Sequence, residues 1–452
     1  MRVLVKNSVF ILFWSFLVAC QSSDSYKDTL ADGELLIAAQ LQLTDVIIHD
    51  IFSPPVASRI YAYSSIAAFE VAALGDASYQ SLTGQLRGFE PKAYDIPEEV
   101  DYSLAALAAY YQVATALIFS EDMMDNHRDG VFAALRKQGM PKKLFENSIA
   151  LGQQVAGHVL AYSKTDNYHE SRSFEKYSVS NDPHSWQPTP PHYMEGIEPH
   201  WNKIRTMVME RADQFISEPA TPFSTEPGTP FFEEAMEVFT VTQDMTQEQK
   251  DIAYFWDCNP YKVNIKGHVM FAEKKITPGG HWMGIASIAS KTAGQDWKGM
   301  AETLAYTSIA LFDAFIACWD EKYRSVLIRP ETYINKYIDE DWLPLLQTPP
   351  FPEYTSGHSV ASNAAAEALT KLFGEPFHFV DSTEVAYGLP IREFDSFRHA
   401  ADEAAISRLY GGIHYMPAIV HGSTKGKKLG EYIKNQVETR SGLAENAEVV
   451  GK

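Results

Sequence analysis

Leu304, Ser308, Leu311, Phe315 and Cys318 follow one another at steps of four and three, while Ala305, Ile309, Phe312 and Ile316 trace the neighbouring face of the same helix. A helix that is apolar on two faces has to be covered on both, so the segment Trp297 to Asp320 is expected to be buried. Six further stretches carry helical periodicity: Gly33 to Asp50, Arg59 to Leu74, Tyr102 to Ser120, Lys142 to Lys164, His358 to Phe373 and His399 to Tyr410. Alternating strand patterns are scarce. At 452 residues and 45% apolar composition the chain can bury a large core. The expected fold class is all-α, with two helical bundles at 20–165 and 246–440, the chemistry in the second, and a short tail at 441–452.

Between 166 and 245 the texture changes. Asp182-Pro183, Pro188-Thr189-Pro190-Pro191, Pro219, Pro222, Pro227 and Pro230 interrupt any periodicity, which predicts a long irregular connection. Trp186, Tyr193 and Trp201 are aromatics that a solvated linker does not normally carry. A covering segment packed on the bundles is therefore expected.

The first 19 residues combine Arg2 and Lys6 with the mostly apolar run Val9 to Ala19, a secretory leader with small residues at its end. Small residues directly before Cys20, followed by Gln21-Ser22-Ser23-Asp24-Ser25, resemble a bacterial lipoprotein signal, which implies lipidation of Cys20. The alternative is an ordinary cleaved leader. Both readings export the chain across the inner membrane, to the periplasm or to an outer-membrane anchor. Loss of residues 1–19 removes two of 38 basic groups and none of 58 acidic ones, which moves the net charge from −20 to −22. That balance excludes nucleic acid and anionic lipid surfaces as expected partners. Cys258 and Cys318 are separated by 59 residues, a spacing that leaves a disulfide open. Cys318 sits in the apolar run and reads as a small core residue. No CxxC or local Cys/His zinc spacing is present.

Three clusters then fall within the 93 residues from Lys322 to His414: Lys322-x6-Arg329-Pro330, Ser356-Gly357-His358, and Ser407-Arg408-x5-His414. Three permanent cations, a hydroxyl, a flexible backbone amide and two imidazoles are the groups a phosphate-like anion needs when it leaves water. Lys322 and Arg329 continue the stripe through Phe315 and Cys318. On one helix they stand about 20° out of register and about 10 Å apart along the axis, close enough to converge on an anion between them. Ser356-Gly357-His358 precedes an alanine-rich helix whose N-terminus favours negative charge. Gly411-Gly412 is expected to end the helix carrying Arg408 and to turn His414 back toward it.

These clusters resemble the signature of the vanadium-dependent haloperoxidase and type-2 phosphatidic acid phosphatase superfamily: Lys-x6-Arg-Pro, Pro-Ser-Gly-His, then Ser-Arg-x5-His-x3-Asp. The likeness covers the catalytic third of the chain. Two positions depart from it, Thr355 in place of proline and Ala418 in place of the last aspartate. The resemblance implies that vanadate, or phosphate in the same site, is held by Lys322, Arg329, Ser356, Gly357, Arg408 and His414, with vanadium on His414. It implies that His358 takes a proton from hydrogen peroxide, that Lys322 polarises the oxygen presented to the halide, and that Trp319 and Phe351 face the halide. Trp256-Asp257-Cys258-Asn259-Pro260-Tyr261 and Thr277-Pro278-Gly279-Gly280-His281-Trp282 resemble segments of bacterial iodoperoxidase-like members, which adds Tyr261 and Asp320 to the expected pocket.

In the phosphatase branch the aspartate missing at Ala418 orients a nucleophilic histidine, as in a catalytic triad. A histidine that only ligates vanadium can use a backbone carbonyl as its second partner. The departure therefore points to a haloperoxidase oxidising halide, iodide above all, with hydrogen peroxide. The alternatives are an acid phosphatase working through a phosphohistidine at His414, with Asp320 among the acids able to replace the aspartate, and a surface lipoprotein that binds an anion or a partner without catalysis.

Overall fold

A computed structural model describes residues 25–266 and 269–441, with side chains outside 264–272. The predicted leader, Cys20 and most of the predicted tail lie outside the described residues. The first bundle contains α1 (Ser25–Ala31), α2 (Glu34–His49), α3 (Pro54–Gly75), α4 (Tyr102–Ala116), α5 (Glu121–Lys137) and α6 (Lys142–Ser163), and the single turn α7 (Tyr168–Ser171) follows. The second half holds α8 (Pro230–Gln243), α9 (Gln247–Phe255), α10 (Pro278–Thr292), α11 (Trp297–Ser325), α12 (Pro330–Tyr337), α13 (Gly357–Phe373), α14 (Phe397–Tyr410) and α15 (Met416–Gln436). Among the described residues, strands are confined to two antiparallel pairs, β1 (Val263–Lys266) with β2 (Val269–Ala272) and β3 (Phe379–Asp381) with β4 (Arg392–Phe394).

The two bundles share α11. Its residues from Gly299 to Lys322 are buried, and one apolar cluster runs from Tyr26 in α1 through α11 to Val437 beyond α15. The helix is long and apolar enough to cross a membrane, but its apolar window lies wholly inside the protein, as expected from its two apolar faces. It starts on Asp296, whose carboxylate accepts from the amides of Lys298 and Gly299. It stops at Val326, which takes the left-handed conformation at φ 44°.

That stop corrects the sequence reading of Lys322 and Arg329 as partners on one helix. Pro330 cannot continue a helix through its ring but starts one well. Arg329 accordingly caps α12 while Lys322 ends the last turns of α11. The loop between them is held by the predicted covering segment, through Trp186 N–H to Val326 O at 2.7 Å and Ile328 N–H to His184 O at 2.8 Å. Trp186 and Trp201 are fully buried there and Tyr193 is exposed. The segment is also not irregular throughout, because α8 occupies its end, started by Pro230. Asp313 of α11 fastens it from below, its carboxylate accepting from the amides of Met207, Val208 and Met209 at 2.7–2.8 Å.

In the second bundle α15 lies directly on α13. Gly422, Gly426 and Gly430 repeat every fourth residue, and a Cβ on any of them falls within 3.0 Å of Ser359, Val360 or Glu367 atoms. The contact brings the carbonyl of Ala418 to 3.1 Å from the amide of Ser356, which ties the start of α13 to α15.

Two alanine substitutions should therefore move stability in opposite directions. Gly157→Ala on the exposed face of α6, where a Cβ meets nothing, should stabilise by up to about 1 kcal/mol through helix propensity. Gly426→Ala drives a methyl into the Val360 carbonyl and should destabilise by about 1–3 kcal/mol or more despite the same propensity gain. Urea unfolding midpoints check the pair, and a stabilised Gly426→Ala contradicts the close packing of α13 and α15.

Candidate active site

The three clusters meet in the second bundle around a cavity lined by Gly357, His358, Arg408 and His414 together with Trp319, Phe351 and Tyr261. Lys322, Arg329 and Ser356 stand behind that lining, all fully buried. Lys322 Nζ donates to the carbonyls of Pro352, Glu353 and Thr355 at 3.0, 3.0 and 2.6 Å, which clamps the loop leading into α13. Ser356 caps α13. Its oxygen accepts from the amide of Ser359 at 3.3 Å, which leaves the hydroxyl proton available to donate. Gly357 follows as the first helical residue, and a Cβ there reaches only ordinary contact with Trp319, so its amide is open to close approach.

Arg329 reaches under the loop. Its Nε donates to Phe351 O at 2.9 Å and its Nη1 to Ile413 O at 2.8 Å, while Nη2 has no partner. Arg408, in the last turn of α14, donates from Nη2 to Trp256 O at 2.7 Å and from Nε to Ser407 Oγ at 3.1 Å. After Tyr410 the chain turns at Gly412, φ 74°, with Ile413 N–H bonding back to Arg408 O at 3.2 Å. This is the predicted reversal, and it places His414 inside the protein.

His414 is buried between two groups of opposite character. Its Nδ1 lies 2.7 Å from Glu353 Oε1, and its Nε2 lies 3.1 Å from Arg329 Nη1. A guanidinium only donates, so Nε2 presents its lone pair and Nδ1 carries the proton that Glu353 accepts. The same carboxylate oxygen accepts the amide of Tyr415 at 3.0 Å. Glu353 thus does what the aspartate missing at Ala418 was expected to do. That overturns the inference drawn from Ala418: the second partner of His414 is a carboxylate, neither a backbone carbonyl nor Asp320. Asp320 lies one residue beyond Trp319 but turns away from the cavity, accepting from Asn202 Nδ2 at 3.0 Å and Arg324 Nε at 3.3 Å. No signal in the family pattern pointed to Glu353, which belongs to the loop before Ser356 and not to the stretch after His414.

The electrostatic balance is one-sided. Lys322, Arg329 and Arg408 are buried with Glu353 as the carboxylate on His414. Burial pulls the Lys322 ammonium down to about 7 and Arg329 down to about 10. It pushes the Glu353 carboxyl up to about 7, against the pull of Arg329 and Lys322. Burial, and then the neighbouring cations, hold His414 and His358 well below the usual imidazole value, so both rings are neutral. His358 Nε2 and Arg329 Nη2 are buried without partners. Desolvated cations and unfilled donors around an open glycine amide fit a small tetrahedral oxyanion, vanadate or phosphate.

Aromatic rings adjoin these groups. Trp319 and Phe351 pack with centroids 5.0 Å apart and their planes tilted by 51°, and the Lys322 ammonium lies 5.0 Å from the Phe351 ring centre. Tyr261 lines the cavity beside Asn259 and Pro260. Cys318 is free and buried, its Sγ 3.6 Å from Thr355 O, and Cys258 is free and buried on the cavity's edge. These two cysteines are therefore not joined.

Residues 302–441 match the family described as the VCPO second helical-bundle domain. Across 91% of its length the chain is similar to a crystal structure of a bacterial vanadium-dependent iodoperoxidase, with a TM-score of 0.86 and 48% sequence identity over 98% of that chain. It is also similar to holo and apo structures of a bacterial vanadium-dependent chloroperoxidase, at TM-scores of 0.63 and 0.65. Both share 16% identity with it, over 86% and 85% of this chain and 93% and 94% of theirs, a likeness of fold alone. No curated protein sequence matches the chain.

Replacing Glu353 by Leu removes the acceptor that fixes the His414 tautomer. Orthovanadate affinity measured by calorimetry should fall roughly 10- to 100-fold with the fold intact. An unchanged affinity contradicts the positioning role assigned to Glu353.

Proposed function

The chain belongs to the vanadium-dependent haloperoxidases, and we propose that within them it is an iodoperoxidase. It is a vanadate-dependent enzyme that oxidises halide with hydrogen peroxide, and the choice of iodide rests on the 48% identity to the bacterial iodoperoxidase. In the overall reaction one peroxide oxygen passes to iodide, the other leaves as water, and one proton is taken up, giving hypoiodous acid. Bound vanadate supplies the Lewis-acid centre that makes peroxide oxygen electrophilic.

The residues of this chain do the remainder. His414 offers Nε2 as the single neutral ligand, oriented by Glu353 through Nδ1–H. Lys322, Arg329 and Arg408 would compensate the charge of the oxyanion, and the Ser356 hydroxyl and Gly357 amide would supply neutral donors. His358, neutral and with Nε2 unpartnered in the cavity lining, is the base that receives a proton from hydrogen peroxide. Trp319 and Phe351 give a polarisable apolar wall suited to a large, weakly hydrated halide. The observation that carries this reading is the neutral His414 lone pair set among three buried cations.

The Glu353–His414 pair also favours a second reading, because a carboxylate-backed imidazole is the arrangement a phosphohistidine enzyme uses. The two differ in outcome. Metal-free protein loaded with orthovanadate should gain iodide oxidation, His414→Ala should abolish it, and a phosphomonoester should turn over negligibly. Efficient phosphoester hydrolysis with no vanadate-dependent peroxidase rate reverses the assignment. Oxyanion affinity should also weaken as pH rises through about 7. Lys322 is cationic only below its depressed value, and Glu353 becomes anionic above its raised one, so both changes remove positive charge in the same direction. Lys322→Arg should flatten the profile, and a flat wild-type profile contradicts the account.

We propose further that the protein is an exported lipoprotein anchored through Cys20. Support comes from the leader composition and the small residues before that cysteine. Cys20→Ser should release the protein from the membrane fraction of a bacterial host, and retention there contradicts the anchor.

A further inference from the structure

Three side chains outside the oxyanion site converge in the interior next to it. Cys258 follows α9, His281 lies in the first turn of α10, and Glu384 follows β3. All three are buried, and Cys258 Sγ, His281 Nδ1 and Glu384 Oε1 lie within 4.8 Å of one another. We propose that these atoms form a binding site for a borderline-soft divalent cation of the zinc type, separate from the vanadate site.

The geometry carries the assignment. His281 Nδ1 is 3.6 Å from Cys258 Sγ and 3.4 Å from Glu384 Oε1. A tetrahedral zinc ion with bonds of about 2.3 Å to sulfur and about 2.0–2.1 Å to nitrogen and oxygen separates its ligands by about 3.6 Å for S···N and about 3.3 Å for N···O. The two edges that meet at His281 Nδ1 already have those lengths, and the third, between Cys258 Sγ and Glu384 Oε1, is within 4.8 Å. His281 is also oriented as a ligand: its Nε2 lies 2.8 Å from Asp381 Oδ2, so Nε2–H donates to that carboxylate and Nδ1 is turned toward the cluster. A carboxylate behind the imidazole of a metal ligand is the usual outer-shell support. Asp381 is itself held, accepting from the amide and the hydroxyl of Thr383 at 2.9 and 2.7 Å.

Glu384 supplies an independent observation. It is 3% exposed, and its Oε1 points into the cluster at ion-pair range from His281 Nδ1, 3.4 Å, without the geometry of a hydrogen bond. A buried carboxylate oxygen left in this way needs a cation or a donor. Two buried carboxylates, Asp381 and Glu384, flank one imidazole, and a dication would offset two of the three negative charges that they and the Cys258 thiolate carry. One thiolate, one imidazole and one carboxylate suit zinc better than calcium or magnesium.

The site bears on catalysis by position. The His281 ring stacks on the indole of Trp256 at 4.5 Å and 17°, and the Trp256 carbonyl accepts from Arg408 Nη2. A metal that fixes His281 therefore fixes the residue that holds Arg408. Ligands drawn from α9, α10 and the β3 loop explain why the local spacing of cysteines and histidines gave no zinc signature.

The test uses the full chain, treated with chelator and titrated with Co²⁺, whose thiolate charge-transfer and tetrahedral d–d absorption report the ligands. One equivalent should bind with a charge-transfer band that zinc displaces. Cys258→Ser should lose that band, Glu384→Gln should weaken binding at least 10-fold, and Cys318→Ser should leave the spectrum unchanged. Failure of the wild-type chain to bind one equivalent, or an unchanged charge-transfer band in Cys258→Ser, overturns the proposal. The Glu384→Gln readout keeps the test decisive if Cys258→Ser fails to fold.

Discussion

Three buried cations gathered around the Glu353 carboxylate, with the second buried carboxylate, Asp257, already paired with Lys262 and Lys275, make an imbalance that the fold can sustain only with an anion in reach. Lys322, Arg329 and Arg408 come from the end of α11, the start of α12 and the end of α14, and none has a carboxylate in hydrogen-bond contact. Their hydrogen bonds run mainly to backbone carbonyls, with the neutral side chains of His414 and Ser407 as further acceptors. Carbonyls position the cations while cancelling little of their charge, so the site keeps its positive potential for a ligand. The clamp of Lys322 on the 352–355 loop, the seat of Ser356 on α15 and the turn at Gly412 all serve that arrangement.

Glu353 is the exception within this charge pattern, and its position decides what His414 is. A carboxylate on Nδ1 and a guanidinium on Nε2 polarise the ring in one direction and fix which nitrogen has the lone pair. The tandem contact of Glu353 with the Tyr415 amide ties the orienting group to the residue after the histidine. The same role can be filled from either side of the ring in sequence, because the constraint is spatial and not one of spacing.

Helices with a long apolar face were legible in the sequence. Lys142 to Lys164 and His358 to Phe373 differ from α6 and α13 by one residue at one end, because the apolar periodicity runs the length of both helices and Ser356 caps the second. α15 was not foreseen, since its contact surface is glycine at every fourth position and glycine contributes nothing to a hydrophobic pattern. α8 was hidden by the prolines around it, although Pro230 is the residue that starts it. The oxyanion ligands were readable because each sits in a short local motif. Lys322 and Arg329 were assigned to one helix because seven residues fit two turns, and the left-handed Val326 breaks that register. Glu353 and the Cys258–His281–Glu384 cluster were beyond local reading, their partners being 61 and 23 or more residues away.

The account stands most directly on where an oxyanion sits relative to His414. A crystal structure of the protein soaked with orthovanadate should show vanadium on His414 Nε2, with the non-apical oxygens contacting Lys322, Arg329, Ser356, Gly357 and Arg408 and with Nδ1 still on Glu353. An anion bound elsewhere in the cavity, or a His414 ring rotated away from Glu353, contradicts it.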